Sequence, residues 1–174
     1  MAPRYDTYCG LYCGACDTLL ANEEGRLGLL ARKCKMSVEA LTCRGCKSGV
    51  ASVWCMKCEI RRCALARRVE FCFECADYPC DRLRAFAADS RAHHSVVLKN
   101  LEAIRVKGVA AWLEEQKSRW SCPQCGTRSS WYDRRCRRCR QRLYDCRDEE
   151  ADLRSEEGPA AGTLGPTGKN RGAR

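Results

Sequence analysis

The chain has no apolar run of the roughly 18 residues that a membrane-crossing helix requires, so no membrane association is expected. Met1 to Gly10 has no apolar core of the kind an export signal carries, and the expected location is therefore the cytoplasm, with reduced thiols. Histidine is scarce. His93 and His94 are the only two, side by side, with no serine or carboxylate at a spacing that suggests a catalytic partner. They read as helix-surface or packed residues. A glycine-rich phosphate loop, a nucleophile elbow and a His-Glu-x-x-His pair are all missing, so the familiar catalytic signatures are absent. An enzyme would have to use a metal with an open coordination position, its reaction unknown. Glu74, Asp77 and Asp81 lie near cysteines as possible bases, although a solvated role is preferred.

What the chain does have is cysteine, 17 in 174 residues, twelve of them before residue 81. They run Cys9, Cys13, Cys16; Cys34; Cys43, Cys46; Cys55, Cys58, Cys63; Cys72, Cys75, Cys80; then Cys122, Cys125; Cys136, Cys139; Cys146. Five Cys-x-x-Cys steps stand beside one Cys-x3-Cys-x2-Cys triple. A short turn of this kind aims both sulfurs at one point, and two facing turns make a tetrahedral thiolate cage. Disulfides would need an oxidising compartment, and an odd count would leave one thiol over. Scattered buried cysteines acting as small hydrophobes would not repeat one separation.

From Cys46 onward the cysteines also recur every 17 residues, as Cys-x8-Cys-x2-Cys-x4-Cys run twice through a shared Cys63. Trp54 and Phe71 occupy the same place in each copy, where each could cover a metal-bound sulfur. Two stacked metal loops are expected. Cys43 to Cys80 supplies eight thiols for two sites; Cys9, Cys13, Cys16 and Cys34 make a third, with Cys34 alone at a helix end; Cys122, Cys125, Cys136 and Cys139 make a fourth. The fourth has zinc-ribbon form, Cys-Pro-Gln-Cys, ten residues beginning with Gly126, then Cys-Arg-Arg-Cys, with Gly126 free to take a positive φ. Zinc is expected in the ribbon; the N-terminal sites take zinc or an iron-sulfur cluster, because thiolates hold both.

Between the cysteines, Leu20, Leu27 and Leu30 predict a helix over residues 17–33, weakened at Gly25 and Gly28. Further helices are expected over 59–68, after Pro79 through Leu83 and Phe86, from Ala92 to Val106 with Gly108 ending it, and through Val109, Trp112, Leu113 and Gln116. Beyond Asp148 the composition turns acidic and then rich in Gly, Pro, Ala and Thr, which predicts a disordered tail. The fold class expected is a small metal-stabilised α+β structure, mostly helical with cysteine-rich loops, divided into a cysteine-rich domain with helical continuation (1–118), a zinc ribbon (119–147) and the tail (148–174).

The formal charge of +10 suggests nucleic acid, but four thiolates around one Zn2+ carry a net −2, so four loaded sites bring it to about +2. The basic signal survives in the ribbon. Residues 119–147 hold nine arginines against Asp133 and Asp145. Arg134, Arg135, Arg137, Arg138, Arg140 and Arg142 crowd the second knuckle, and Trp131 could stack on bases, which makes nucleic acid or an acidic protein the expected partner.

Cys9-Gly-Leu-Tyr-Cys-Gly-Ala-Cys16, Cys43-Arg-Gly-Cys46, Trp54-Cys55-x-x-Cys58 and Val69-Glu-Phe-Cys-Phe-Glu-Cys-Ala-Asp-Tyr-Pro-Cys80, in this order, resemble the motifs of a bacterial and archaeal cysteine-rich family, domain of unknown function 3795. Asn100-Leu101, Gly108 and Trp112-Leu113 are similar to that family's helical part, which extends the resemblance over roughly residues 5 to 118. The resemblance implies metal binding and a mixed, largely helical fold, with no activity, substrate or catalytic residue attached. The role expected is that of a binding or adaptor module; an iron-sulfur redox or accessory protein is the alternative.

Overall fold

Residues 2–156 are described by a computed structural model. Short apolar repeats punctuated by cysteine turns give helices α1 (Asp17–Glu23), α2 (Leu27–Cys34), α3 (Val38–Leu41), α4 (Val53–Met56), α5 (Glu59–Arg67), α6 (Asp81–Ala87), α7 (Val97–Lys107), α8 (Val109–Arg119) and α9 (Cys146–Glu156). Among the described residues there is no strand, only the isolated antiparallel bridges Ser121↔Arg128 and Arg135↔Arg142. The expected α+β character therefore reduces to a mostly helical fold. Each bridge closes a cysteine turn too tight to extend into a ladder.

Two expected helices are interrupted. Residues 17–33 divide at Gly25 into α1 and α2. The helix expected from Ala92 begins only at Val97, because Ala92–His94 forms a 3-10 turn in which the His94 Nδ1 meets Asp89 Oδ2 at 2.8 Å. Gly108 does separate α7 from α8, as its place in the sequence implied.

One apolar core runs through the regions expected to be separate. It gathers Tyr12, Ala15, Ile60, Phe71, Leu83, Val97, Leu101, Ile104 and Trp112 with Trp120 and Cys146. Trp112 is 0% exposed and meets the Tyr12 ring edge-on at 6.2 Å between centroids, the offset that ring quadrupoles favour. Buried Asn100 donates from Nδ2 to the Gly10 carbonyl at 2.9 Å, fixing α7 against the first cysteine turn.

The segment after residue 147 departs furthest from expectation. Asp145 caps α9 by accepting the N–H groups of Arg147 (2.8 Å) and Asp148 (3.2 Å), while Asp148 Oδ2 accepts the Asp145 N–H at 3.2 Å. This reciprocal pairing satisfies donors that a helix start leaves open. Glu149 is buried and pairs with Arg119 at 2.7 Å, tying α9 to α8. Residues 148–156 are thus helical, and the remainder of the expected disordered tail, 157–174, lies outside the described residues.

Lys47 secures the N-terminal segment to the Cys43–Cys46 turn. Its side chain is 1% exposed, with Nζ 2.9 Å from Asp6 Oδ2 and 3.6 Å from the centre of the Phe71 ring. Burial alone would raise the Asp6 pKa, but hydrogen bonds from Lys47 and Arg4 hold it below the usual carboxylate value.

Candidate metal centres

Two turns of the same construction carry the four C-terminal cysteines. In the first, the Cys122 N–H donates to the Thr127 carbonyl and the Gly126 N–H to the Cys122 carbonyl, both at 2.8 Å. In the second, Cys136 N–H donates to Gln141 at 2.8 Å and Arg140 N–H to Cys136 at 3.0 Å. The equivalent residues Gly126 and Arg140 sit at φ 68° and 66°. Glycine reaches that region without strain, as its place in the sequence implied; Arg140 does so at a cost of about 1–2 kcal/mol, which the turn imposes.

The facing turns bring Cys122 Sγ to 3.5 Å from Cys139 Sγ and Cys125 Sγ to 3.5 Å from Cys136 Sγ, and all four sulfurs lie within 4.8 Å of one another. This cluster of four cysteines could hold a metal ion. Cys122 and Cys136 are buried beneath Leu143. Thr127 approaches Cys125, hydroxyl to sulfur at 3.2 Å, and that bond, with the Thr127 N–H, pulls the Cys125 thiol down to about 6, into the range where it ionises readily.

The segment is fastened to the beginning of the chain. The Trp131 N–H donates to the Ala15 carbonyl at 3.1 Å and its own carbonyl accepts the Cys146 N–H at 2.7 Å. Arg128 bonds the Gly14 carbonyl (2.9 Å) and Glu23 (2.6 Å), and Arg137 bonds Glu24 at 3.0 Å. Of the arginines read as candidate nucleic-acid contacts, Arg134 pairs with buried Asp145 at 3.1 Å and Arg137 belongs to the fastening. Trp131 is half-buried, with one face of its ring stacked on His93 at 4.2 Å. Arg135, Arg138 and Arg140 are exposed, and their side chains have no hydrogen-bond or ion-pair partner among the described residues.

His93 is structural. Its Nδ1 lies 2.7 Å from the Tyr132 hydroxyl, and burial, followed by the positive charge of His94 and Arg91, pushes its pKa down to about 3. A histidine held neutral in the fold contributes stability that is complete above its unfolded value, about 6.5, and is lost as pH falls toward 3. The expected result is that the His93 ring signals in proton NMR stay constant between pH 5 and 8; a midpoint near 6.5 would contradict this packing.

The N-terminal cysteines form two neighbourhoods, grouped differently from the sequence expectation. Cys13, Cys43 and Cys46 are buried together, with Cys16 and Cys55 against them. The Cys43–Cys46 turn requires Gly45: it sits at φ 108°, a Cβ there would collide with the Arg4 carbonyl oxygen, and its N–H donates to Cys43 Sγ at 3.3 Å. The neighbouring thiols of Cys46 and Cys55 shift in opposite directions: their mutual hydrogen bonding lowers Cys55 to about 7, and the same interaction with burial raises Cys46. In the second neighbourhood Cys63, Cys72, Cys75 and Cys80 line one cavity. Cys9 and Cys58 belong to the main core, and burial raises the Cys9 thiol to about 11. Cys34, expected to join Cys9, Cys13 and Cys16, is exposed at the end of α2. The two copies of the 17-residue repeat differ as well, since Trp54 is 54% exposed while Phe71 is buried. Among the described residues, only Cys122, Cys125, Cys136 and Cys139 bring three or more Cys, His, Asp or Glu ligand atoms within 4.8 Å.

The order of these turns, Cys9 to Cys16, Cys43 to Cys46, Cys55 to Cys58 and Cys72 to Cys80, agrees with the family model described as "Protein of unknown function (DUF3795)", which matches residues 5–85. Over residues 5–85 the chain is similar to this family. The match ends within α6, so the matched region takes in both N-terminal thiol neighbourhoods, while α7, α8, the facing turns and α9 lie beyond it, short of the residue 118 expected from the sequence. No curated protein and no solved structure matches the chain. No helix among the described residues is long and apolar enough to cross a membrane.

Proposed function

We propose that this protein is a zinc-stabilised binding module of the cytoplasm whose C-terminal turns present a cationic edge to nucleic acid. The observation that carries the metal is the 3.5 Å approach of two sulfur pairs. A tetrahedral Zn–S bond of about 2.3 Å sets neighbouring sulfurs about 3.8 Å apart, which these thiols reach with little movement. Four protein ligands leave no open position, the arrangement of a structural zinc rather than a catalytic one.

The cationic edge is narrower than the sequence suggested. Arg128, Arg134, Arg137 and Arg142 are engaged with Glu23, Asp145, Glu24 and Asp148, leaving Arg135, Arg138 and Arg140 turned to solvent at one turn. Their forked guanidinium groups suit phosphate oxygens, and the metal beneath holds their backbone in place. Binding of a fluorescein-labelled single-stranded RNA by the zinc-loaded full chain tests this. Replacing the three arginines with alanine should weaken binding and lower the slope of log K against log salt by about 2, at roughly 0.7 per phosphate contact. An unchanged slope rejects the nucleic-acid reading and leaves an acidic protein as the partner to test.

A further inference from the structure

The sulfurs of Cys63, Cys72, Cys75 and Cys80 behave differently from those of the C-terminal turns. All four line one cavity, walled by Ile60, Ala64, Val69, Tyr78 and Leu83. It continues to solvent past Arg67, Asp77 and Arg82, where Cys63, Cys75 and Cys80 again line the opening. Yet no three of these sulfurs converge within 4.8 Å, the separation that the C-terminal set satisfies with all four. Thiols that share a cavity with no three closing within 4.8 Å are set wider than the tetrahedron of a single ion needs.

We infer that Cys63, Cys72, Cys75 and Cys80 hold an iron-sulfur cluster, a centre distinct in kind from the zinc of the C-terminal turns. Cysteine thiolates are the usual ligands of such clusters, and bridging sulfides give the core a width that a lone zinc lacks. The surroundings suit it. Apolar side chains keep water from the inner face. On the outer face Arg67 donates from Nη1 to Cys75 Sγ at 3.1 Å while pairing with Asp77 at 2.6 Å, which holds a positive charge beside an anionic cluster. Hydrogen bonds to ligand sulfur and nearby charge are the levers by which a protein sets such a cluster's potential. The ligands also follow one half of the 17-residue repeat, Cys-x8-Cys-x2-Cys-x4-Cys, in which a single element, α5, positions Cys63 and Arg67 one turn apart.

The inference deepens the metal-binding reading, and one preparation separates the two. The full chain, purified without oxygen, is assayed for iron, acid-labile sulfide, zinc and visible absorption, beside Cys75→Ser and Arg67→Leu. Expected are iron, sulfide and a broad visible band in the parent chain; loss of one cluster's iron and sulfide in Cys75→Ser, with one zinc per chain retained; and retained iron but a lowered reduction midpoint in Arg67→Leu. Colourless, sulfide-free parent protein with more than one zinc per chain overturns the cluster even if Cys75→Ser does not fold. Iron unchanged in Cys75→Ser overturns the ligand assignment. Iron without the C-terminal zinc leaves the cluster standing and removes the zinc proposal instead.

Discussion

Cys136→Ser is expected to lower the zinc content by one ion per chain and to unfold residues 120–145 while the helices before them persist. The sulfur it removes is 1% exposed and lies 3.5 Å from Cys125, at the centre of the four-thiol set. A structural zinc contributes about 10–16 kcal/mol of apparent binding energy, comparable with the whole stability of a domain this size. Within the segment the regular backbone pairing is two isolated bridges and the cysteine turns they close, with amide bonds at Cys122, Gly126, Cys136 and Arg140, and its other ties are those of Arg128, Trp131 and Arg137 to residues 14–24. Hydrogen exchange should therefore accelerate at those four amides to nearly the unstructured rate. The Cys146 amide, bonded to the Trp131 carbonyl, should follow. Cys34→Ser, at an exposed position, should change neither zinc nor exchange. Parent-like zinc content and protection in Cys136→Ser would reject the site.

Trp112→Ala is expected to cost about 3–5 kcal/mol in urea unfolding at constant metal loading, the range for emptying a fully buried large aromatic position. Trp112 is where α8 meets the Tyr12 ring and thereby the first cysteine turn, so the loss should also loosen Cys13 and Cys16. The Phe variant should behave quite differently. Trp112 Nε1 is buried with no hydrogen-bond partner, an arrangement that costs roughly 1–3 kcal/mol. Trp112→Phe removes that orphaned donor along with some volume, and the two changes offset, leaving a cost of about 1 kcal/mol or less. A Phe variant as unstable as the Ala variant would mean the indole N–H has a partner in solution.

What could be read from the sequence was whatever depends on neighbouring positions. The Cys122–Cys125 and Cys136–Cys139 turns follow from spacing plus Gly126, and α5, α6 and α8 from short apolar repeats whose ends carry a glycine or a cysteine turn. The missed helix α9 had a local signal too. Asp145-x-x-Asp148 is a capping pair, but the acidic composition beyond it hid a start whose carboxylates also suit the positive end of a helix. Other features depend on distant residues and leave no local trace. Arg128 and Arg137 looked like part of a basic patch because Glu23 and Glu24 are over 100 positions away. The regrouping of Cys13 and Cys16 with Cys43, Cys46 and Cys55 likewise depends on how Arg4 to Tyr8 crosses the Cys43–Cys46 turn through Lys47, a packing choice invisible to spacing.

The bond from Arg128 to the Gly14 carbonyl spans 114 positions, and it sets a timetable for synthesis. At about 5–20 residues per second, a ribosome takes roughly 6–23 s between delivering one partner and the other. Throughout that interval the Cys9–Cys16 turn has been made but lacks the bonds that Arg128 and Trp131 give its Gly14 and Ala15 carbonyls. The first cysteine turn therefore waits on the last third of the chain for its full set of contacts.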